Sequence, residues 1–184
     1  MMQAALEIFA DRGYQAATIR DIVKEADVSI GTFYFYFPDK ETLFVHLYEE
    51  TADFLVHTLH QAAATRTTYE QKVKATIQAY VSIAIFEPAV VELLLVAGVG
   101  TVPALVAKTN SFREQLIQIW QRPLTEALSK GQVVEQNVRR TAEGLAGAVD
   151  QLILSLLTQP DREEVAAEAV RDIVQFVLRA SGHY

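Results

Sequence analysis

The sequence predicts an all-α fold, a small three-helix head of about 45 residues on a larger helical body, with about nine helices in all. Three observations predict it. Nearly every longer stretch repeats its apolar positions at spacings of three and four, and no alternating strand pattern extends beyond a few residues. The breaks between these stretches fall at proline and glycine. The chain has 184 residues, 51 % hydrophobic and 21 % charged, a composition that can bury a real core.

In chain order, helices are expected near 2–12, 18–25, 29–36, 39–64, 69–86, 88–97, 102–130, 137–158 and 162–180. The first carries Leu6 and Phe9. The second starts at Thr18, a good cap, and turns Ile19, Ile22, Val23 and Ala26 inward. Asp27-Val28-Ser29 leads to the third, whose inward residues are Phe33 and Phe37. Pro38-Asp39 opens the fourth, and Glu87-Pro88 ends the fifth and starts the sixth, since proline's missing N–H is harmless in a first turn. Gly98 to Pro103 separates the sixth from the seventh, where Pro123 falls inside the pattern Leu116, Ile117, Trp120, Leu124, Leu128. There it should remove one backbone bond and kink the helix. The eighth repeats Leu145, Val149, Leu152, Ile153 and Leu156. After Gln159-Pro160-Asp161 the ninth repeats Val170, Ile173, Val174 and Val177, and the two should pack as a helical hairpin.

Composition excludes some functions. Without cysteine there is no disulfide frame, thiolate zinc site or cysteine nucleophile. The first residues carry Glu7 and Asp11 with no cationic stretch ahead of an apolar one, unlike a secretory signal. The longest uncharged apolar run, Leu93 to Ala107, is broken by Gly98, Gly100 and Pro103 and falls short of the roughly 18 residues of a membrane span. A cytoplasmic protein without a membrane partner is expected. The formal charge of −7 speaks against a nucleic-acid partner, because phosphate binding usually leaves a basic footprint.

The head contradicts that first impression. A short helix, a tight turn and a second short helix make a helix-turn-helix, whose second helix can enter a major groove. Its outer face carries Ser29, Ile30, Gly31, Thr32, Tyr34, Phe35 and Tyr36. Ser29 and Thr32 can bond base edges, Ile30 can touch a thymine methyl, and Gly31 permits close approach. Tyr34, Tyr36 and Lys40 suit phosphate oxygens, as do the amides at Thr18. The competing reading assigns the aromatic residues to core or interface packing.

Three runs carry a resemblance: Ala4-Ala5-Leu6-Glu7-Ile8-Phe9-Ala10-Asp11-Arg12-Gly13-Tyr14, Thr18-Ile19-Arg20-Asp21-Ile22, and Val28-Ser29-Ile30-Gly31-Thr32-Phe33-Tyr34-Phe35-Tyr36-Phe37-Pro38-Asp39-Lys40-Glu41-Thr42-Leu43. Together they closely resemble the DNA-binding head of TetR-family transcriptional regulators. The body is similar to that family only in the number and length of its helices and in a final apolar pair. The resemblance implies a homodimer that binds a partly palindromic double-stranded DNA operator, usually represses, and is released by a small-molecule effector. Carried onto this chain, Thr18, Tyr34, Tyr36 and Lys40 would contact the DNA backbone. Ser29, Ile30, Gly31 and Thr32 would face the groove, over a core of Phe9, Ile22, Val28, Phe33, Phe37 and Leu43. Two departures stand out. Asp27 occupies a turn position where the family usually has glycine, and aspartate tolerates positive φ better than most residues. The basic arm the family carries before its first helix is missing, so either it lies upstream of this sequence or the protein binds without it.

The reading therefore divides the chain into a DNA-binding domain, 1–47, and a ligand-binding and dimerisation domain, 48–184. The head holds Arg12, Arg20, Lys24 and Lys40 against Glu7, Asp11, Asp21, Glu25, Asp27, Asp39 and Glu41, a net 4 − 7 = −3. Few cationic contacts predict modest affinity per head and a shallow salt dependence. On the body, Gly144, Gly147 and Ala148 form a small-residue patch that, with Leu152, Val174 and Val177, is the candidate dimer interface. A monomeric core hairpin is the alternative. Phe54, Tyr80, Phe86, Glu87, Leu94, Phe112, Leu116 and Trp120 mix apolar and polar groups as a ligand site does, and as an ordinary helical core also does. Pro123 is a pointer to backbone groups left open beside such a cavity, and the expected effector is apolar, uncharged or weakly cationic. His57 and His60 share a helix face but have no evident third ligand, so no metal and no cofactor is expected. No catalytic constellation is found, and the protein reads as a regulator rather than an enzyme. The functional alternative is a helical small-molecule-binding or protein-interaction module that has lost DNA binding.

Overall fold

The computed structural model describes residues 1–98, 100 and 102–183. Val99 and Thr101, inside the expected break after the sixth helix, lie outside the described residues. Among those described, the architecture is helical throughout, with one isolated antiparallel bridge, Val133 to His183. The elements are α1 (Met2–Ala16), α2 (Ile19–Glu25), α3 (Ile30–Tyr36), α4 (Lys40–Ala64), α5 (Tyr69–Phe86), α6 (Pro88–Glu92), α7 (Val106–Ser129), α8 (Val138–Leu157) and α9 (Arg162–Ala180).

Three boundaries differ from the sequence reading. The first helix continues to Ala16, but Gly13 (φ 71, ψ 165) breaks its regularity close to the expected end. The expected helix over 88–97 is α6 followed by a π turn, Leu93–Ala97, closed by the Gly98 amide on the Leu93 carbonyl at 2.8 Å. The start expected near 102 is a 3₁₀ turn, Pro103–Leu105, ahead of α7. Helical periodicity does not distinguish these tighter or wider turns from an α-helix, which explains the difference. The helix α7 continues through Pro123.

The chain forms two compact units, Met1–Phe54 with Ala89–Phe112, and Leu55–Pro88 with Arg113–Tyr184. In the first, α1 packs on α2 and on the π turn, and α2 packs on α3. Phe9, Ile22, Phe33, Leu43 and Phe44 are completely buried, with Phe9 edge-on to Phe44 at 4.7 Å between ring centres. The expected core residues Val28 and Phe37 are only half-buried. Tyr48 is buried edge-on to Phe112, and its ring lies where a Cβ on Gly98 would stand.

In the second unit α9 packs on both α5 and α8, and α5 on α8. The apolar stripes of α8 and α9 meet the core through Leu145, Val149, Ile153, Ile173 and Val177. Arg139 of α8 grips Glu114 of α7 bidentately at 2.5 and 2.7 Å and also bonds Glu143 at 2.6 Å. That geometry pulls the Glu114 carboxyl down to about 2.

Candidate nucleic-acid interface

The helix-turn-helix is built from local bonds that the sequence dictates. Thr18 caps α2 through a reciprocal box: its hydroxyl oxygen accepts from the Asp21 amide at 3.2 Å, and the Asp21 carboxylate accepts from the Thr18 amide at 3.1 Å. The Thr18 hydroxyl also donates to that carboxylate at 2.6 Å. The side-chain and backbone bonds from Thr18, helped by Arg12 at 3.6 Å, hold the Asp21 carboxyl below the usual carboxylate range. The Thr18 hydroxyl is thus occupied by its own helix, and what this residue brings to a surface is the exposed first turn of α2.

At its other end α2 closes on a left-handed residue. Asp27 has φ 50, the one positive φ among the described non-glycine residues. Its amide donates to the Lys24 carbonyl at 3.2 Å, and the Val28 amide donates to the Val23 carbonyl at 3.0 Å. This paired closure usually uses glycine, and aspartate adopts it at small cost. The turn therefore survives the departure noted in the sequence.

Ser29 then caps α3, its hydroxyl oxygen accepting from the Thr32 amide at 3.1 Å and lying 2.9 Å from the Thr32 hydroxyl. Phe33 anchors α3 in the core, fully buried, with Tyr34 edge-on against its ring at 5.3 Å. The opposite face is open: Ile30 is 46 % exposed, Tyr34 54 %, Phe35 81 % and Tyr36 64 %. A Cβ on Gly31 would meet Ser29 Oγ at 3.6 Å, an ordinary contact, so packing does not demand glycine there. Ser29, Ile30, Gly31, Thr32, Tyr34 and Tyr36 accordingly all lie on one short helix and its cap.

Lys40 stands apart from that face in its bonding. Its ammonium donates to the Tyr14 carbonyl at 2.7 Å and the Ala17 carbonyl at 2.8 Å, and lies 4.2 Å from the centre of the Tyr14 ring. Burial lowers its pKa from the ordinary lysine value. Two of its three hydrogens thus tie the end of α1 to the start of α4, leaving one for an outside acceptor. Asp39 caps α4 by accepting from the Thr42 amide at 2.7 Å, which lowers its carboxyl pKa.

The eight expected ligand residues do not share one unit. Phe54, Leu94 and Phe112 belong to the first, and Tyr80, Phe86, Glu87, Leu116 and Trp120 to the second. Phe86 is 79 % exposed and lines a groove of about 410 Å³ between α5 and α9, with Val81, Ile85 and Val170. Tyr80 is buried and donates to Asp150 Oδ1 at 2.9 Å. Burial pushes the Asp150 carboxyl up to about 6, although the Tyr80 bond and Arg113 oppose the shift. A second groove of about 300 Å³ is lined by His60, Lys72, Arg122, Pro123 and Glu126. The sequence offered Pro123 as its only pointer there, because helices distant along the chain supply the other walls. Of the expected dimer residues, Gly144, Gly147 and Leu152 are exposed, Ala148 and Val174 half-buried, and Val177 fully buried within its own protomer. Among the described residues no group of three His, Asp or Glu side chains is placed to hold a metal, and no single helix is long and apolar enough to cross a membrane.

Comparison with known proteins places this geometry. The family model for bacterial regulatory proteins of the tetR family matches residues 1–47. The fatty acid metabolism regulator protein of Bacillus subtilis is 22 % identical, over 91 % of this chain and 87 % of its own. A crystal structure of the transcriptional regulator FadR from Bacillus subtilis, in complex with stearoyl-CoA, superposes with a TM-score of 0.79 at 21 % identity, covering 94 % of this chain and 95 % of the other. A tetR-family regulatory protein from Rhodococcus RHA1 superposes with a TM-score of 0.80 at 22 % identity, covering 100 % and 95 %.

Proposed function

We propose that this chain, whose residues 1–47 match the family model for bacterial regulatory proteins of the tetR family, is a dimeric repressor of that family whose α3 helices read a partly palindromic operator until an effector releases them. The observation that carries the reading is the α3 surface. A helix pinned by a buried Phe33 and capped by Ser29 turns Ile30, Tyr34, Phe35 and Tyr36 outward together. On this reading residues 1–47 bind DNA and 48–184 bind ligand and partner. Ser29, Ile30, Gly31 and Thr32 face the bases, while Thr18 at the α2 cap, Tyr34, Tyr36 and Lys40 meet the backbone.

The body takes an effector with a largely apolar portion, and the stearoyl-CoA bound by the Bacillus subtilis relative supports an acyl thioester as its class, which carries phosphate charges that the uncharged or weakly cationic ligand expected from the sequence lacks. Phe86 and its groove are the favoured entry among the eight ligand candidates. Residues of α4 belong to both compact units, so an effector that displaces this helix changes the spacing of two heads that must reach successive grooves. Dimerisation uses the exposed small-residue face of α8 with Leu152 and Val174, supported from beneath by the buried Val177. The matched relatives are regulators rather than enzymes, which supports a non-enzymatic role.

A gel-shift assay on the DNA flanking the protein's own gene tests the reading. Retarded complexes that a long-chain acyl-CoA dissolves are expected, with a shallow salt dependence. Absence of any complex at low salt favours the module that has lost DNA binding.

A further inference from the structure

We propose that the groove formed by the end of α4, the start of α5 and the Pro123 stretch of α7 is a binding site for a phosphate or pyrophosphate group. Its walls carry His60, Lys72, Arg122 and Glu126 over a floor that includes Ile119 and Pro123. The volume of about 300 Å³ admits such an anion with room for the group that carries it.

The charges favour it. Glu126 is the single carboxylate among the lining residues, and it is already matched: Lys72 pairs with one of its oxygens and Lys130 with the other at 2.6 Å. One negative charge thus sits between two ammonium groups, and those bonds hold its carboxyl down at about 2. On the other wall, burial first and then the positive fields of Arg122 and His57 disfavour protonation of His60. His60 and Arg122 line the same groove, and the lining residues bring no carboxylate to it besides the already paired Glu126. A tetrahedral polyanion can accept two parallel N–H bonds from Arg122 and a third from the His60 ring, whereas a planar carboxylate is satisfied by the arginine alone.

The inference rests on the regulatory reading only for its consequence, that the site holds the anionic end of an effector. Binding itself is measured without DNA, so failure of either idea is seen separately. In the whole protein, the His60 ring signals are followed by NMR while sodium pyrophosphate or coenzyme A is added at constant ionic strength, with His183 as internal reference. A saturable His60 shift is expected in at least one arm. Arg122→Gln should weaken it about tenfold, in keeping with one lost charge-assisted contact, and Arg122→Lys, which keeps the charge but not the fork, should recover only part of that loss. Tighter binding of coenzyme A assigns the phosphate to an organic ligand, and tighter binding of pyrophosphate to the free ion. No saturable shift in either arm, or the same affinity in Arg122→Gln, overturns the proposal.

Discussion

Asp27 shows how a single residue can depart from a pattern while the backbone keeps it. Its φ of 50 is the conformation the turn requires, and the two amide bonds that close α2 are both made. Asp27→Gly should stabilise the protein by about 0.5–1 kcal/mol in urea denaturation, since glycine adopts positive φ without steric cost. Asp150 behaves oppositely to most carboxylates. Its folded pKa of about 6 lies above the ordinary value of 3.8, so the folded state holds the proton more tightly than the unfolded one. Stability contributed by that protonation is present below pH 3.8 and is lost as pH rises through 6. Asp150→Asn keeps an acceptor for Tyr80 and should gain about 1–3 kcal/mol at pH 7, with the gain vanishing near pH 4 in parallel denaturation series. The sequence made Asp27 legible because a turn between two short helices has few solutions. It could not reveal Lys40's bonds or the burial of Asp150, since Tyr14, Ala17 and Tyr80 reach them only through the fold.

At the scale of elements, caps and prolines were legible and departures from α geometry were not. Thr18 accepts from the amide three residues on, as its position before an apolar run implies, and Ser29 and Thr68 make the same cap, which the sequence reading did not single out. The π turn after α6 has an apolar sequence that reads as plain helix, and what closes it is the Gly98 amide on the Leu93 carbonyl. Gly98 is also where Tyr48 packs, so Gly98→Ala should cost about 1–3 kcal/mol by forcing that ring aside, measured as a lower denaturation midpoint with an unchanged slope. The ligand candidates illustrate the limit of periodicity. The sequence groups Leu94 and Phe112 with Leu116 and Trp120 as ligand candidates, yet the first pair belongs to one compact unit and the second pair to the other.

For the whole molecule, the net charge of −7 does not decide the partner, because a partner meets a face rather than a sum. The exposed face of α3 carries tyrosines, a threonine and an isoleucine rather than lysine and arginine. Dimerisation has a clean test in α8, where a side chain added at Gly147 would meet nothing within 4 Å in its own protomer. Gly147→Arg should leave the fold intact, with a helix gain of up to about 1 kcal/mol, while converting dimer to monomer by sedimentation; unchanged mass would place the interface elsewhere. Base reading by α3 is measured by selecting bound duplexes from a random pool with the wild-type protein, Thr32→Ala and Tyr36→Phe. Paired half-sites about 10 bp apart are expected for the wild type, altered base preference at one position per half-site for Thr32→Ala, and the same preference at lower affinity for Tyr36→Phe. No enriched sequence, or an identical base profile for Thr32→Ala, would rule out base reading by α3.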